Sequence, residues 1–243
     1  LAGGALAAES TAWLIVTLTI AASLATGFVV LSLPRQRKDT GSGDAECDRG
    51  TSPFGQLWFW PTLALLGLFQ ATHAAFYGFG TLYWRSIDVP DFTIGLLWAV
   101  GVIAEIALFT IAGKLSLRVD PPVFLFAAGL AASVRWGLFP FAESFVFMGA
   151  LQVLHGLTFG AAHLGAVAIL AKVVPPRWSG TGQGLLTASI GIQTAIGLAV
   201  SGALFQYDPH MPFYLMAAAA LAGCAALVFA APVIRRHIRH TDA

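Results

Sequence analysis

Two imidazoles and an amide lie inside an apolar run, LQVLHGLTFGAAHLGAVAIL, from Leu151 to Leu170. Gln152, His155, Phe159 and His163 stand at i, i+3, i+7 and i+11, so they share one helical stripe. Imidazole takes up and releases protons near neutral pH, and an amide both donates and accepts. A stripe of this kind can bind a polar solute or move a proton. A single histidine there can also be no more than a hydrogen-bonded packing residue.

Other ionisable groups sit in equally apolar surroundings. Glu105 lies in WAVGVIAEIALFTIAG, about 13 Å from Lys114 at a rise of about 1.5 Å per residue. Its side chain is too short to reach water along the helix, so it is protonated, paired, or facing a wet cavity. Arg135 lies in AASVRWGLFP, about 20 Å from Pro121 and Pro122 by the same rise. It can snorkel outward beside Trp136, pair with Glu105, or recognise an anionic or polyhydroxyl solute. A second stripe runs through GLFQATHAAFYGFGTLYW: Gln70, His73, Tyr77, Gly80 and Trp84. Tyr77 and Trp84 offer ring faces with a donor each, and Trp84 is the tryptophan expected to face a cavity. Helix packing alone would also use such a stripe.

The sequence holds no HExxH, no GxSxG, no P-loop and no metal-ligand cluster of Cys and His. His155 and His163 are eight residues apart on a helix, too far to chelate one ion unaided. No cofactor and no metal are therefore expected, and catalysis within the membrane has little support. Cys47 and Cys224 lie in a polar loop and an apolar segment, and no disulfide framework is expected from them.

The elements that carry these residues follow from hydropathy. Of the 243 residues, 57% are hydrophobic and 10% charged, against about 25% charged in soluble domains. Mean hydropathy is +0.77, the mark of a multi-span membrane protein. Formal net charge is +1, which points to no nucleic-acid partner. A spanning helix takes about 20 apolar residues. Seven stretches are expected to span, over 11–33, 58–83, 92–113, 121–139, 145–172, 180–205 and 212–233. Proline pairs at 121–122 and 175–176 stop the helices before them. The 180–205 stretch is rich in small residues, and Gly180, Gly184, Ala188, Gly191 and Ala195 permit close helix packing. Gln183 and Gln193 there are expected as structural hydrogen-bonding groups.

Basic residues fall on one side of such an arrangement. The 34–57 loop holds Arg35, Arg37, Lys38 and Arg49, and later loops hold Lys114, Arg118, Lys172 and Arg177. With Arg235, Arg236 and Arg239 in the tail, these are eleven of the thirteen Lys and Arg. The opposite loops hold Arg85 among Asp88, Asp91, Glu143 and Asp208. The positive-inside rule places the tail and the 34–57 loop in the cytoplasm. That loop is polar and rich in Gly and Ser, as flexible linkers are. The chain opens at Leu1 and enters an apolar segment with no basic stretch before it, which argues against a signal peptide. The expectation is a fragment with an upstream part.

ATHAAFYGFGTLYWRSIDVPDFTIGLLWAVGVIAEIALF and LQVLHGLTFGAAHLGAVAILAKVVPP resemble segments of the major facilitator superfamily. They look like its branch of proton-linked phenylpropionate permeases, near the sugar and nucleoside proton symporters. The resemblance runs from about residue 11 to residue 235. It implies an all-α integral membrane fold of seven transmembrane helices. Residues 1–33 would be the last helix of the N-terminal half and 34–57 a cytoplasmic linker. Residues 58–235 would form the C-terminal six-helix transporter half, and 236–243 a cytoplasmic tail. In the related sugar symporters an acid of the eighth helix binds substrate and an arginine of the ninth tunes the proton site. The tenth carries a histidine and, three residues later, a glutamate. Glu105, Arg135 and His155 fall at matching places, but the position three after His155 holds Thr158.

The resemblance implies a secondary active transporter of the bacterial inner membrane, taking up a small organic solute with protons. Arg135 and the aromatic residues favour an aromatic acid such as phenylpropionate. A sugar or nucleoside symporter, or a non-transporting sensor of the same fold, are the alternatives. Glu105, Arg135, His155, His73, Tyr77, Gln152, His163 and Trp84 are the expected solute- and proton-binding residues. The expected partners are the solute, the proton, the lipid bilayer and the missing N-terminal half, with no nucleic acid.

Overall fold

The computed structural model describes residues 52–115 and 119–241. The expected span at 11–33 and most of the linker lie outside these residues. All regular structure among the described residues is helical. In chain order the helices are α1 (Phe59–Ala71), α2 (Ala74–Ser86), α3 (Asp91–Leu115) and α4 (Pro121–Leu138). Then come α5 (Phe145–His155), a π-helical turn (Gly156–Ala161), α6 (Ala162–Val173), α7 (Ser179–Phe205) and α8 (Met211–Thr241).

Helix starts follow local chemistry. Pro121 and Pro122 open α4, where a missing N–H costs nothing. Ser144 caps α5, its Oγ accepting from Phe147 N at 3.2 Å. Among the described residues, five stretches are long and apolar enough to cross a membrane: 91–112, 121–141, 145–173, 176–205 and 211–238. The 58–83 segment differs from expectation, because it forms two helices of 13 residues each. The break falls at Thr72 and His73, without proline or glycine at either position. Thr72 Oγ1 donates to the Phe69 carbonyl at 2.7 Å, and His73 Nδ1 donates to the Gln70 carbonyl at 3.1 Å. Side chains thus satisfy carbonyls near the kink, as such residues do when they compete with a helix.

Helices α4 and α8 pack along each other, α1 and α2 pack on α7, and α3 packs on α5 and the π turn. The interior has two apolar layers. One gathers Phe59, Leu66, Phe69, Leu125, Ile169 and Ile234. The other gathers Phe76, Trp84, Leu97, Trp136, Phe139 and Phe213 at the opposite end. Between them lie the buried polar side chains Gln70, His73, Arg135, Gln152, His155 and Thr158. The fold therefore holds a polar seam at mid-height, where α1 gives way to α2, α4 passes through, and α5 gives way to the π turn.

Helices α3 and α7 are the least buried of the long helices. They turn Ile103, Ile106, Ile111, Ile192, Ile196 and Val200 outward. Apolar residues on outer and inner faces alike suit a lipid surround. Ser189 and Gln193 tie α7 to α1 through the carbonyls of Leu63 and Ala64, at 3.3 and 3.1 Å. Gly180, Gly184 and Gly191 have open space in front of them, so this part of the small-residue stripe packs against no described residue.

Candidate functional site

The seam is built from two interruptions of helical regularity and one buried arginine. The kink at Thr72–His73 turns His73 inward. The π turn after His155 shifts the register so that Thr158, three residues on, points to the same place. Arg135 comes from the last turn of α4, fully buried. π turns of this kind recur at functional sites because they re-aim side chains without ending a helix.

Arg135 is the hub. Its Nη1 donates to His155 Nδ1 at 3.0 Å and to Thr158 Oγ1 at 3.1 Å. Its Nη2 donates to Gln152 Oε1. The guanidinium also lies over the rings of Trp136 and Phe76, at 4.3 and 5.0 Å from their centroids, a favourable place for a desolvated cation. Among the described residues no carboxylate lies within ion-pair distance of it. A buried charge without a counter-ion is costly, so the cation is held by dipoles and ring faces alone. Arg135 Nε and Gln152 Nε2, both enclosed, have no partner among the described residues.

In front of Arg135 stands His155, and in front of His155 stands Glu105. His155 Nε2 lies 3.7 Å from Glu105 Oε2, beyond hydrogen-bond length but within ion-pair reach. The Glu105 side chain is 23% exposed. The Arg135–Glu105 pair weighed on sequence grounds does not form; an imidazole separates the two charges. Gly156 makes this closeness possible, since a Cβ there would meet the Ala104 carbonyl oxygen at 2.5 Å.

Rings surround the front of the site. Tyr77, 45% exposed, stacks on Trp98 at 6.2 Å and on His73 at 5.9 Å. Phe159 stacks on His155 at 5.3 Å and meets Tyr77 edge-on at 6.5 Å. His163 continues the row, parallel to Phe159 at 6.5 Å and edge-on to Phe109. His73 closes the back, with Nε2 3.1 Å from Thr158 Oγ1.

Glu105, Arg135, His155, His73, Tyr77 and Gln152 are thus brought together, with His163 exposed at the end of the row. Trp84 is not: it is 1% exposed and packs against Phe76 and Phe139 in the layer beyond the seam. Trp84 follows Tyr77 by two turns on the same regular helix, so the shared stripe runs past the site into that layer. Trp98, Phe76 and Thr158 were missed as contributors. Trp98 stands seven residues before Glu105, two turns up the same face, and that spacing could have found it.

The comparisons with known proteins agree with a transporter. Residues 7–216 match the model of the MFS_1 like family. A protein of Escherichia coli (strain K12) described as "Probable 3-phenylpropionic acid transporter" is 32% identical over 162 residues. The matched region is 67% of this chain and 43% of that relative, so the chain spans less than half of the relative's length.

Proposed function

The chain belongs to the MFS_1 like family of multi-pass membrane transporters, and from that premise we propose that it serves proton-coupled uptake of a small aromatic carboxylate. The Escherichia coli relative, with "3-phenylpropionic acid" in its name, makes phenylpropionate the first solute to try. The observation that carries the reading is Arg135: a wholly buried cation with no carboxylate beside it among the described residues. A site that keeps such a charge is prepared for an anion to complete it. Tyr77, Trp98 and Phe159 supply ring faces around the same opening, suited to an aryl group. Glu105 is the proton-binding candidate, being an acid within reach of His155 and partly open to the site.

Residues 52–241 would be the C-terminal half of the transporter, with an N-terminal half supplying the other wall. Solute access would alternate as the halves rock about this mid-height site. The Escherichia coli relative supports placement in a bacterial inner membrane, and the basic loops support a cytoplasmic tail.

The test is uptake of labelled 3-phenylpropionate by the full-length protein in vesicles with an imposed pH gradient. Accumulation should disappear when a protonophore collapses the gradient, and undiminished accumulation would exclude proton coupling. Glu105→Gln should lose uphill accumulation, and wild-type accumulation in that variant would remove Glu105 from the proton path.

A further inference from the structure

The two ring nitrogens of His155 face chemically unlike partners. Nδ1 lies 3.0 Å from Nη1 of Arg135. A guanidinium has donors only, so Nδ1 must accept and carries no hydrogen. The ring hydrogen is therefore on Nε2, the nitrogen that faces Glu105 Oε2 at 3.7 Å. The same reasoning orders the back of the site. His73 Nδ1 lies 3.1 Å from the Gln70 carbonyl, an acceptor only, so it carries the hydrogen and His73 Nε2 accepts. The Thr158 hydroxyl then donates to His73 Nε2 at 3.1 Å while accepting from Arg135 at 3.1 Å. The Thr158 Oγ1–His155 carbonyl contact is longer, 3.3 Å. With both rings neutral their tautomers are fixed, and the shorter contact gives the Thr158 hydrogen to His73.

We propose that Arg135 is a positioning residue that locks His155 as an Nε2–H donor, and that Glu105 and the solute's carboxylate take this one N–H in turn. This rests on the reading of the site as a proton-linked carboxylate site. With Glu105 ionised, its carboxylate closes on the N–H from its present 3.7 Å and its negative charge repels an anionic solute. When Glu105 takes a proton from water, it becomes a neutral acid and gives up its claim on the N–H. The solute carboxylate then accepts that hydrogen bond, backed by the Arg135 charge on the far side of the ring. Loss of the proton from Glu105 to water reverses both changes and expels the anion. No covalent bond changes except the O–H of Glu105, and His155 stays neutral throughout. Proton and anion thus favour each other's binding, which is what symport needs.

The groups facing His155 are Arg135 from α4, Glu105 from α3, His73 at the kink and Tyr77 from α2. Gln152 and Phe159 flank it on its own segment. A second proton on the ring would sit at Nδ1, against the guanidinium, with no acceptor there. His155 is therefore a fixed donor and Glu105 the carrier.

Glutamine can imitate this tautomer, with its carbonyl towards Arg135 and its amide N–H towards Glu105. Phenylalanine can imitate neither contact. Two measurements on the full-length protein decide the matter. The first is 15N NMR of labelled histidine rings from about pH 5 to pH 8, with the His155 signals assigned by their loss in His155→Gln. One tautomer, bare at Nδ1 and protonated at Nε2, is expected across that range. A hydrogen at Nδ1, or a doubly protonated ring within the range, overturns the proposal. The second is 3-phenylpropionate uptake. His155→Gln should be slower than wild type but keep the same pH profile, whereas His155→Phe should lose uptake. A flat pH profile in His155→Gln would make the imidazole the carrier and overturn the proposal. If 3-phenylpropionate is not carried by the wild type at all, the functional reading fails by itself, and the ring tautomer is still decided by NMR.

Discussion

At the scale of single residues, Arg135 differs from most membrane arginines in having no path to water. Its stem does not snorkel; the head is spent on His155, Thr158 and Gln152, three acceptors on one segment. That fan of contacts needs a planar fork, which lysine cannot supply. Arg135→Lys keeps the charge but drops at least one contact, each worth roughly 1.5–3 kcal/mol when a charged group takes part. Solute half-saturation should rise about 10- to 100-fold at the tenfold-per-1.4 kcal/mol conversion. Uptake titrations with 3-phenylpropionate measure this, and a wild-type value would show that charge alone suffices. How far such a site could be read beforehand depends on the residue. Glu105, Arg135 and His155 stand out because ionisable groups are rare in apolar helices. Their order in space does not, since sequence depth cannot say that an imidazole lies between the two charges. Trp84 misleads for a related reason: it stands two turns beyond Tyr77, roughly 10 Å along the helix, where the shared stripe has already left the site.

At the scale of elements, both departures from regular helix fall beside the site, and neither was visible in hydropathy. The 58–83 and 145–172 runs read as unbroken apolar stretches. The kink at Thr72–His73 and the π turn at Gly156–Ala161 depend on contacts with other helices. What the sequence did carry was the residue type, since Thr and His can bond back to helix carbonyls. The glycines of the α5–π segment separate packing from mere permissiveness. At Gly156 an added Cβ would meet backbone atoms of Ala104, at 2.5 and 2.8 Å, and backbone cannot step aside. At Gly149, two turns earlier, nothing lies within 4 Å. Gly156→Ala should therefore push α3 from the π turn, costing about 1–3 kcal/mol as overpacking does. It should also widen the Glu105–His155 gap and impair uptake. Gly149→Ala should gain up to about 1 kcal/mol from helix propensity and leave uptake intact. Thermal midpoints and uptake of the two variants, compared side by side, test the argument. Equal behaviour would mean that α3 yields freely.

At the scale of the whole molecule, the two apolar layers and the seam between them describe a helical bundle whose buried polar groups lie at mid-height. The class of fold was legible because lipid leaves only helices and closed barrels as spanning solutions, and runs of apolar residues about 20 long choose helices. Direction across the membrane rests on charge placement, which the structure sharpens at both ends. Arg85, the lone basic residue of its side, donates from Nε to Asp91 at 2.8 Å, and this hydrogen bond raises its pKa further and cancels its charge locally. Asp208 beside His210, at 2.9 Å, stands in the loop between α7 and α8, which belongs to the same side. At the other end Arg235 reaches Asp120 at 2.6 Å, from the last turns of α8 to the start of α4. Lys172, Arg177, Arg236 and Arg239 add to the basic excess there. With α7 and α8 each crossing once, residues 177 and 235 share a side, and residue 207 faces the other. A phosphatase reporter, active only outside the cytoplasm, should therefore be silent when fused after residue 241 and active when inserted at residue 207. The opposite pattern would invert the molecule and put Glu105 nearer the outer surface than the sequence depth implies. Proton entry and exit would then exchange sides while the Arg135–His155–Glu105 order stayed the same.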